Sequence, residues 1–150
     1  MKFRNPLLAV KDLDVSKAFY REILGLRVVA DFGANVTLTG GVCLQTLDTW
    51  TNFIGKEVSF GGNDAEIYFE EEDFDGFLAR AGEKLELVHP AYEHRWGQRV
   101  VRFRDPDGHI IEVGEDMGSV VRRFLESGMT QEQVAEHMEV PIAFVKRLCK

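Results

Sequence analysis

The chain has 150 residues and a mass of 17.0 kDa, the length of about one domain. Its formal charge of −7 and sequence pI near 5.1 argue against a protein built to hold nucleic-acid backbones, which need a basic face. A hydrophobic fraction of 45%, with eleven Phe, three Tyr and two Trp, supplies a core and excludes a disordered chain. Phe3 to Val10 is extended in character, with Pro6 suited to a strand entry. Asp14 or Ser16 is placed to cap a helix through Leu24, whose apolar face carries Phe19, Ile23 and Leu24 and which Gly25 stops. Strand-like runs follow at Leu26 to Phe32, Asn35 to Leu38 and Val42 to Leu47, punctuated by Gly33 and Gly40-Gly41. Asp48 to Asp64 reads as a connection, with a short strand around Glu57 to Phe60.

The second half begins with a strand near Glu66. Glu72-Asp73-Phe74-Asp75 then caps a helix through about Ala81, ended by Gly82. Leu85 to Val88, Arg99 to Arg104 and His109 to Val113 are strand candidates. The last two flank Asp105-Pro-Asp-Gly108, a turn in which Pro presets φ and Gly accepts a positive one. The halves repeat. Leu8-Ala-Val-Lys-Asp12-Leu-Asp14 aligns with Phe69-Glu-Glu-Glu-Asp73-Phe-Asp75, and Gly41-Val-Cys-Leu-Gln45 with Gly108-His-Ile-Ile-Glu112. Each half therefore reads strand, helix, three strands.

At these residues the chain resembles the vicinal oxygen chelate superfamily, the glyoxalase/bleomycin resistance/dioxygenase family. The carriers are the first strand with Lys11-Asp-Leu-Asp-x-Ser-x-x-Phe-Tyr20 and Ile23-Leu-Gly-Leu26. In the second half they are Trp96-Gly-Gln-Arg-Val-Val-Arg-Phe103 and Asp105-Pro-Asp-Gly-His-Ile-Ile-Glu-Val113. The resemblance implies an α+β fold of paired βαβββ modules whose curled mixed sheets surround a cavity, over residues 1–117. A helical extension, 118–150, follows. It also implies that site residues come from the first and last strands of each module: Asn5, Gln45, Glu66 and Glu112. The superfamily spans lyases, isomerases, dioxygenases, thiol transferases and drug-sequestering proteins, so it does not fix the reaction. Metal-binding relatives usually place His where this chain has Asn5 or Glu66. Glu66, Glu112 and Gln45 would suit Mg or Mn better than Ni or Zn, if a divalent metal is used at all. Without a metal, Glu66 and Glu112 sharing one cavity could move a proton next to a carbonyl. Alternatively, a nearby Arg pairs with one of them and merely ties strands together.

Further ligand-binding candidates are Tyr68, two residues after Glu66, and the segment His89 to Gln98. That segment reads as a loop long enough to cover a cavity, with Tyr92 and Trp96 as stacking surfaces and His94 as an acid/base. If Arg104 pairs with His109 across the turn, Arg99, Val101 and Phe103 face Glu112. Arg99 then neutralises it or meets an anionic substrate, while Arg102 and Arg104 point elsewhere.

In the tail, Gly118 to Leu125 reads as a helix, Thr130-Gln-Glu-Gln133 as a capping box, and Thr130 to Leu148 as a unit similar to a helix-turn-helix in which Glu139 replaces the usual turn glycine. Its basic residues, Lys146, Arg147 and Lys150 among them, barely outnumber its acids, so nucleic acid is not the expected partner. No apolar run approaches the roughly 18 residues of a membrane span. The first residues meet charge too early to read as a secretory signal. Cys43 and Cys149 have no Cys or His partners at zinc spacing, and a reducing cytoplasm suits them. The expectation is a cytoplasmic homodimer, a lyase or isomerase acting on a small carbonyl or hydroxy compound, with or without a divalent metal. A non-catalytic small-molecule binder and a ligand-sensing regulator that uses the tail are the alternatives.

Overall fold

A computed structural model describes residues 1–149. Lys150, counted above with the basic residues of the tail, lies outside them. The described residues form two compact units, Met1–Ala65 with Arg104–Ile110, and Glu66–Phe103 with 111–149.

The first unit holds strands β1 (Leu7–Val10), β2 (Val28–Asp31), β3 (Asn35–Leu38) and β4 (Cys43–Thr46), with helices α1 (Leu13–Leu24) and α2 (Leu47–Ile54). The sheet order is β1-β4-β3-β2, with β1 parallel to β4 and the remaining pairs antiparallel. Asp12, not Asp14 or Ser16, caps α1, its carboxylate accepting from the Asp14 and Val15 backbone amides. Ser16 falls inside the first turn and is fully buried. Gly25 closes α1 at φ 69°, a left-handed conformation that costs glycine little. Val10, Val36, Leu38 and Leu44 fill the core under Tyr20. The stretch read as a connection contains α2. Its Thr49 and Thr51 are weak helix formers, which hid it. No strand forms over 57–60.

The second unit repeats the plan. β5 (Glu66–Glu71), α3 (Phe74–Ala81), β6 (Glu86–Glu93), β7 (Arg99–Arg104) and β8 (Ile110–Glu115) give the order β5-β8-β7-β6, that of the first sheet advanced by four. Asp73 caps α3, as its place in the repeat requires. β6 runs to Glu93, well past Val88. The supposed covering loop shrinks to a tight connection in which the His94 amide bonds to Gln98 O and the Gly97 amide to His94 O, each at 2.8 Å.

The β7–β8 register also differs from the expectation. The Asp105 amide donates to His109 O at 3.0 Å, so Asp105, not Arg104, stands opposite His109. A one-residue slip sends every side chain of a strand to the other face. Arg99 and Phe103 therefore face α3: Phe103 is fully buried and stacks on Phe77 at 6.2 Å, and the Arg99 guanidinium lies 5.2 Å from the Phe74 ring centre. Neither faces Glu112.

The C-terminal helices are α4 (Met117–Glu126), α5 (Gln131–His137) and α6 (Ile142–Leu148). They share a core of Val120, Val121, Val134, Ala135, Met138 and Val145. Thr130 and Gln133 form the reciprocal capping box at the start of α5. Glu139, in the α5–α6 turn, takes φ 56°, the left-handed conformation that a glycine would accept without strain. No helix among the described residues is long and apolar enough to cross a membrane.

Candidate functional site

In the first unit, Gln45 is closed off and Asn5 is held at its nitrogen. Asn5 precedes β1, and its amide nitrogen contacts the Cys43 sulfur. Cys43 in turn lies 3.3 Å from Thr37 Oγ1. Gln45 is 4% exposed; its oxygen accepts from Asn35 Nδ2 at 2.8 Å and its nitrogen donates to Thr49 Oγ1 at 2.6 Å. Both amides serve the internal bonding of the sheet.

The second unit gathers the chemistry on one sheet face. Alternation along β5, β8 and β7 puts Glu66, Tyr68, Glu112, Gly114 and Arg102 on the face away from α3. Arg102 is the centre of this group. Its Nε donates to Glu66 Oε2 at 2.7 Å, and its Nη2 forms an ion pair with the buried Glu112 carboxylate. Its Nη1 lies 3.3 Å from the Tyr92 hydroxyl and 3.4 Å from His89 Nε2. The His89 Nδ1–H faces Pro90 O at 2.8 Å, which leaves Nε2 as the acceptor. Burial opposes the Arg102 charge, but its bonds to Glu66 and Tyr92 outweigh that and raise its pKa above the ordinary value. The arginine expected to point elsewhere thus takes the place assigned to Arg99. Arg99 instead makes two bonds to Glu115, each at 3.1 Å, and a forked pair to Asp75.

From Arg102 an aromatic ladder runs along β6 into the β6–β7 connection. The His89 and Tyr92 rings meet edge to face at 4.9 Å, Tyr92 and His94 at 4.8 Å, and His94 stacks on Trp96 at 4.0 Å with the planes 11° apart. The Tyr92 hydroxyl lies 3.4 Å from His94 Nε2. Burial, then the Arg102 charge, lower the His94 pKa, so the ring is neutral at pH 7. Beside the ladder, Gln98 Nε2 donates to the Tyr68 hydroxyl at 2.7 Å and to Glu115 O at 3.0 Å. These side chains meet over Gly114, where a Cβ would come within 2.8 Å of Gln98 Nε2. Burial raises the Tyr68 pKa to about 12, so its phenol keeps its proton at pH 7. Arg102 was not singled out from the sequence as a site residue, and His89 and Gln98 entered it only as the ends of the covering segment. The repeat pointed to strand-end carboxylates, and only the register decides which arginine reaches them.

The donor set does not fit a divalent ion. A guanidinium already lies between Glu66 and Glu112, and among the described residues no three His, Cys, Asp or Glu side chains stand at metal-binding spacing. Gln45, the third expected ligand, has both ends of its amide engaged.

Comparison with known proteins agrees with the twofold βαβββ plan. The glyoxalase-like domain family model matches residues 3–118. A protein of unknown function from Agrobacterium tumefaciens str. C58 is 38% identical, with a TM-score of 0.71 over 78% of this chain and 95% of its own. A lactoylglutathione lyase from Agrobacterium tumefaciens is 25% identical, with a TM-score of 0.59 over 77% of this chain and 93% of its own. A glyoxalase-related enzyme from Fulvimarina pelagi shares the fold at 20% identity and a TM-score of 0.66, over 77% of this chain and 88% of its own. No curated protein matches. With most of its length covered by the family and both halves built to the same order, the chain belongs to the glyoxalase-like domain family, within the vicinal oxygen chelate superfamily.

Proposed function

We propose that the protein is a small-molecule binder of the glyoxalase-like fold, holding a planar organic ligand against the aromatic ladder of the second unit. The observation that carries this reading is the position of Arg102. With its guanidinium between Glu66 and Glu112, the two acids no longer form the like-charged pair that proton shuttling next to a carbonyl needs. Tyr92, His94 and Trp96 remain as flat surfaces, and Gln98, bonded to the Tyr68 hydroxyl, braces the sheet beside them. Glu66 and Glu112 act in this reading by fixing Arg102. Apolar side chains left open on the two edge strands, Val28 and Val29 on β2 and Leu87 and Val88 on β6, support a homodimer. Two free cysteines fit a reducing cytoplasm.

The test is a fluorescence titration with a panel of planar heteroaromatic compounds. Binding should quench the emission of Trp96, persist in Trp50→Phe and disappear in Trp96→Leu with the circular dichroism unchanged. Ligand binding that ignores Trp96 contradicts the reading.

The second reading is a lyase or isomerase. The neutral His94, hydrogen-bonded to Tyr92, favours it, because an uncharged imidazole can accept a proton. Exchange of a carbonyl compound's α-proton with deuterated water, lost in His94→Gln, would establish that reading in place of simple binding.

A further inference from the structure

Glu112 is 7% exposed at its side chain, and a buried carboxylate without a cation is strongly disfavoured. The chain meets this need internally. We infer that Arg102 is a resident cation: it does for Glu66 and Glu112 what a bound divalent ion does for paired acids, and it thereby shuts this sheet face to metals. The inference stands on the ion pairs alone and is independent of the ligand reading above.

Three features carry it. First, Arg102 reaches both acids from β7, and β7 is next to β8 but not next to β5, so one side chain spans the sheet from Glu112 to Glu66. Second, its remaining face is lined by a neutral hydroxyl, Tyr92, and an imidazole nitrogen, His89, both at 3.3–3.4 Å from Nη1. Two carboxylates, an imidazole and a hydroxyl surround this one cation. Their spacing is that of a guanidinium, whose nitrogens stand apart, and not of a single ion. Third, the charge balance excludes both cations at once. A divalent ion placed among these donors would lie a few ångströms from the guanidinium, and that repulsion weakens binding by roughly a hundredfold or more. The face is therefore shaped and charged for a guanidinium and not for a metal ion.

The experiment compares wild type with Arg102→Ala in thermal unfolding and calorimetric titration, using Mn2+, Zn2+ and guanidinium chloride as separate probes. Wild type should show no saturable binding of either metal at these residues and no rise in Tm. Arg102→Ala should be less stable and should regain Tm with about 10 mM guanidinium, far below denaturing concentrations, but not with Mn2+ or Zn2+. Adding Glu112→Gln to Arg102→Ala should abolish the rescue. If Arg102→Ala does not fold alone, refolding in the presence of guanidinium counts as the same rescue. Wild-type binding of Mn2+ or Zn2+ in the micromolar range, lost in Glu112→Gln, overturns the inference. So does an Arg102→Ala protein that guanidinium neither stabilises nor refolds, or that a metal stabilises in its place.

Discussion

Tyr20 donates its phenolic proton to Asp105 at 2.9 Å, joining the middle of α1 to the Asp-Pro-Asp-Gly turn by a bond between two fully buried side chains. The same carboxylate accepts from His109 Nδ1 at 2.8 Å and from the backbone amides of Asp107 and His109 at 3.0 and 2.9 Å. The turn is thus a packed polar centre of the first unit. Removing one donor should cost less than removing the shared acceptor, which strands four donors at once. Tyr20→Phe is expected to lose about 1–2 kcal/mol and Asp105→Ala about 3–5 kcal/mol. Urea denaturation of both variants checks the order as well as the size.

Acid should weaken the protein through two carboxylates. Burial raises the pKa of Asp105, but its bonds to His109 and Tyr20 outweigh that and hold it below the ordinary value. Burial likewise opposes Glu115, whose bonds to Arg99 and Arg123 win and lower it. A lowered pKa means that the unfolded chain binds the proton first. The stabilisation is therefore complete above about pH 4 and is lost as pH falls through the folded values. Unfolding free energy measured from pH 7 down to pH 2 should stay level on this account until about pH 4 and then drop. In Asp105→Asn the drop should be shallower.

Gly97 is wedged against the tail. It has φ 90°, and a Cβ there would come within 2.2 Å of Phe124 Cζ. Arg123, the neighbour of that phenylalanine, bonds to Gly97 O and to Glu115. Gly97→Ala should cost about 2–4 kcal/mol in the wild type. In a Phe124→Ala background it should cost only the roughly 1 kcal/mol of a left-handed alanine. Chemical denaturation of the four proteins of that cycle tests the steric origin of the glycine. Equal costs in both backgrounds would remove it.

The turn of the tail offers a test in the opposite direction. Glu139 is the one non-glycine residue among those described with a positive φ, and it forms an exposed ion pair with Arg95 at 2.8 Å. Exposed pairs contribute little, whereas relief of left-handed strain is worth about 0.5–1 kcal/mol. Glu139→Gly should therefore stabilise the protein despite losing the pair, by a few degrees in Tm.

Most of the architecture was legible because it is written twice. The segments repeated around Asp12 and Asp73 and the glycines before Gln45 and Glu112 marked both modules, although the capping role of Asp12 itself went to Asp14 or Ser16, and the capping box and Glu139 marked the tail. What escaped depended on tertiary register. Val101 and Arg102 alternate along β7 whichever way the strand is turned, and a shift of a single residue at Asp105 exchanged Arg99 for Arg102 beside Glu112. The segment from His89 to Glu93 read as a loop because Pro90 interrupts it, yet β6 lies at the edge of its sheet, where a missing amide donor is tolerated. The helix at Leu47–Ile54 had too few strong helix formers to announce itself.

The most direct measurement is a crystal structure of the wild-type protein grown with Mn2+, with anomalous diffraction recorded for the metal. The account predicts the Arg102 guanidinium in density between Glu66 and Glu112, with no anomalous peak near either acid. A manganese peak bridging the two carboxylates, with Arg102 swung away, would contradict it.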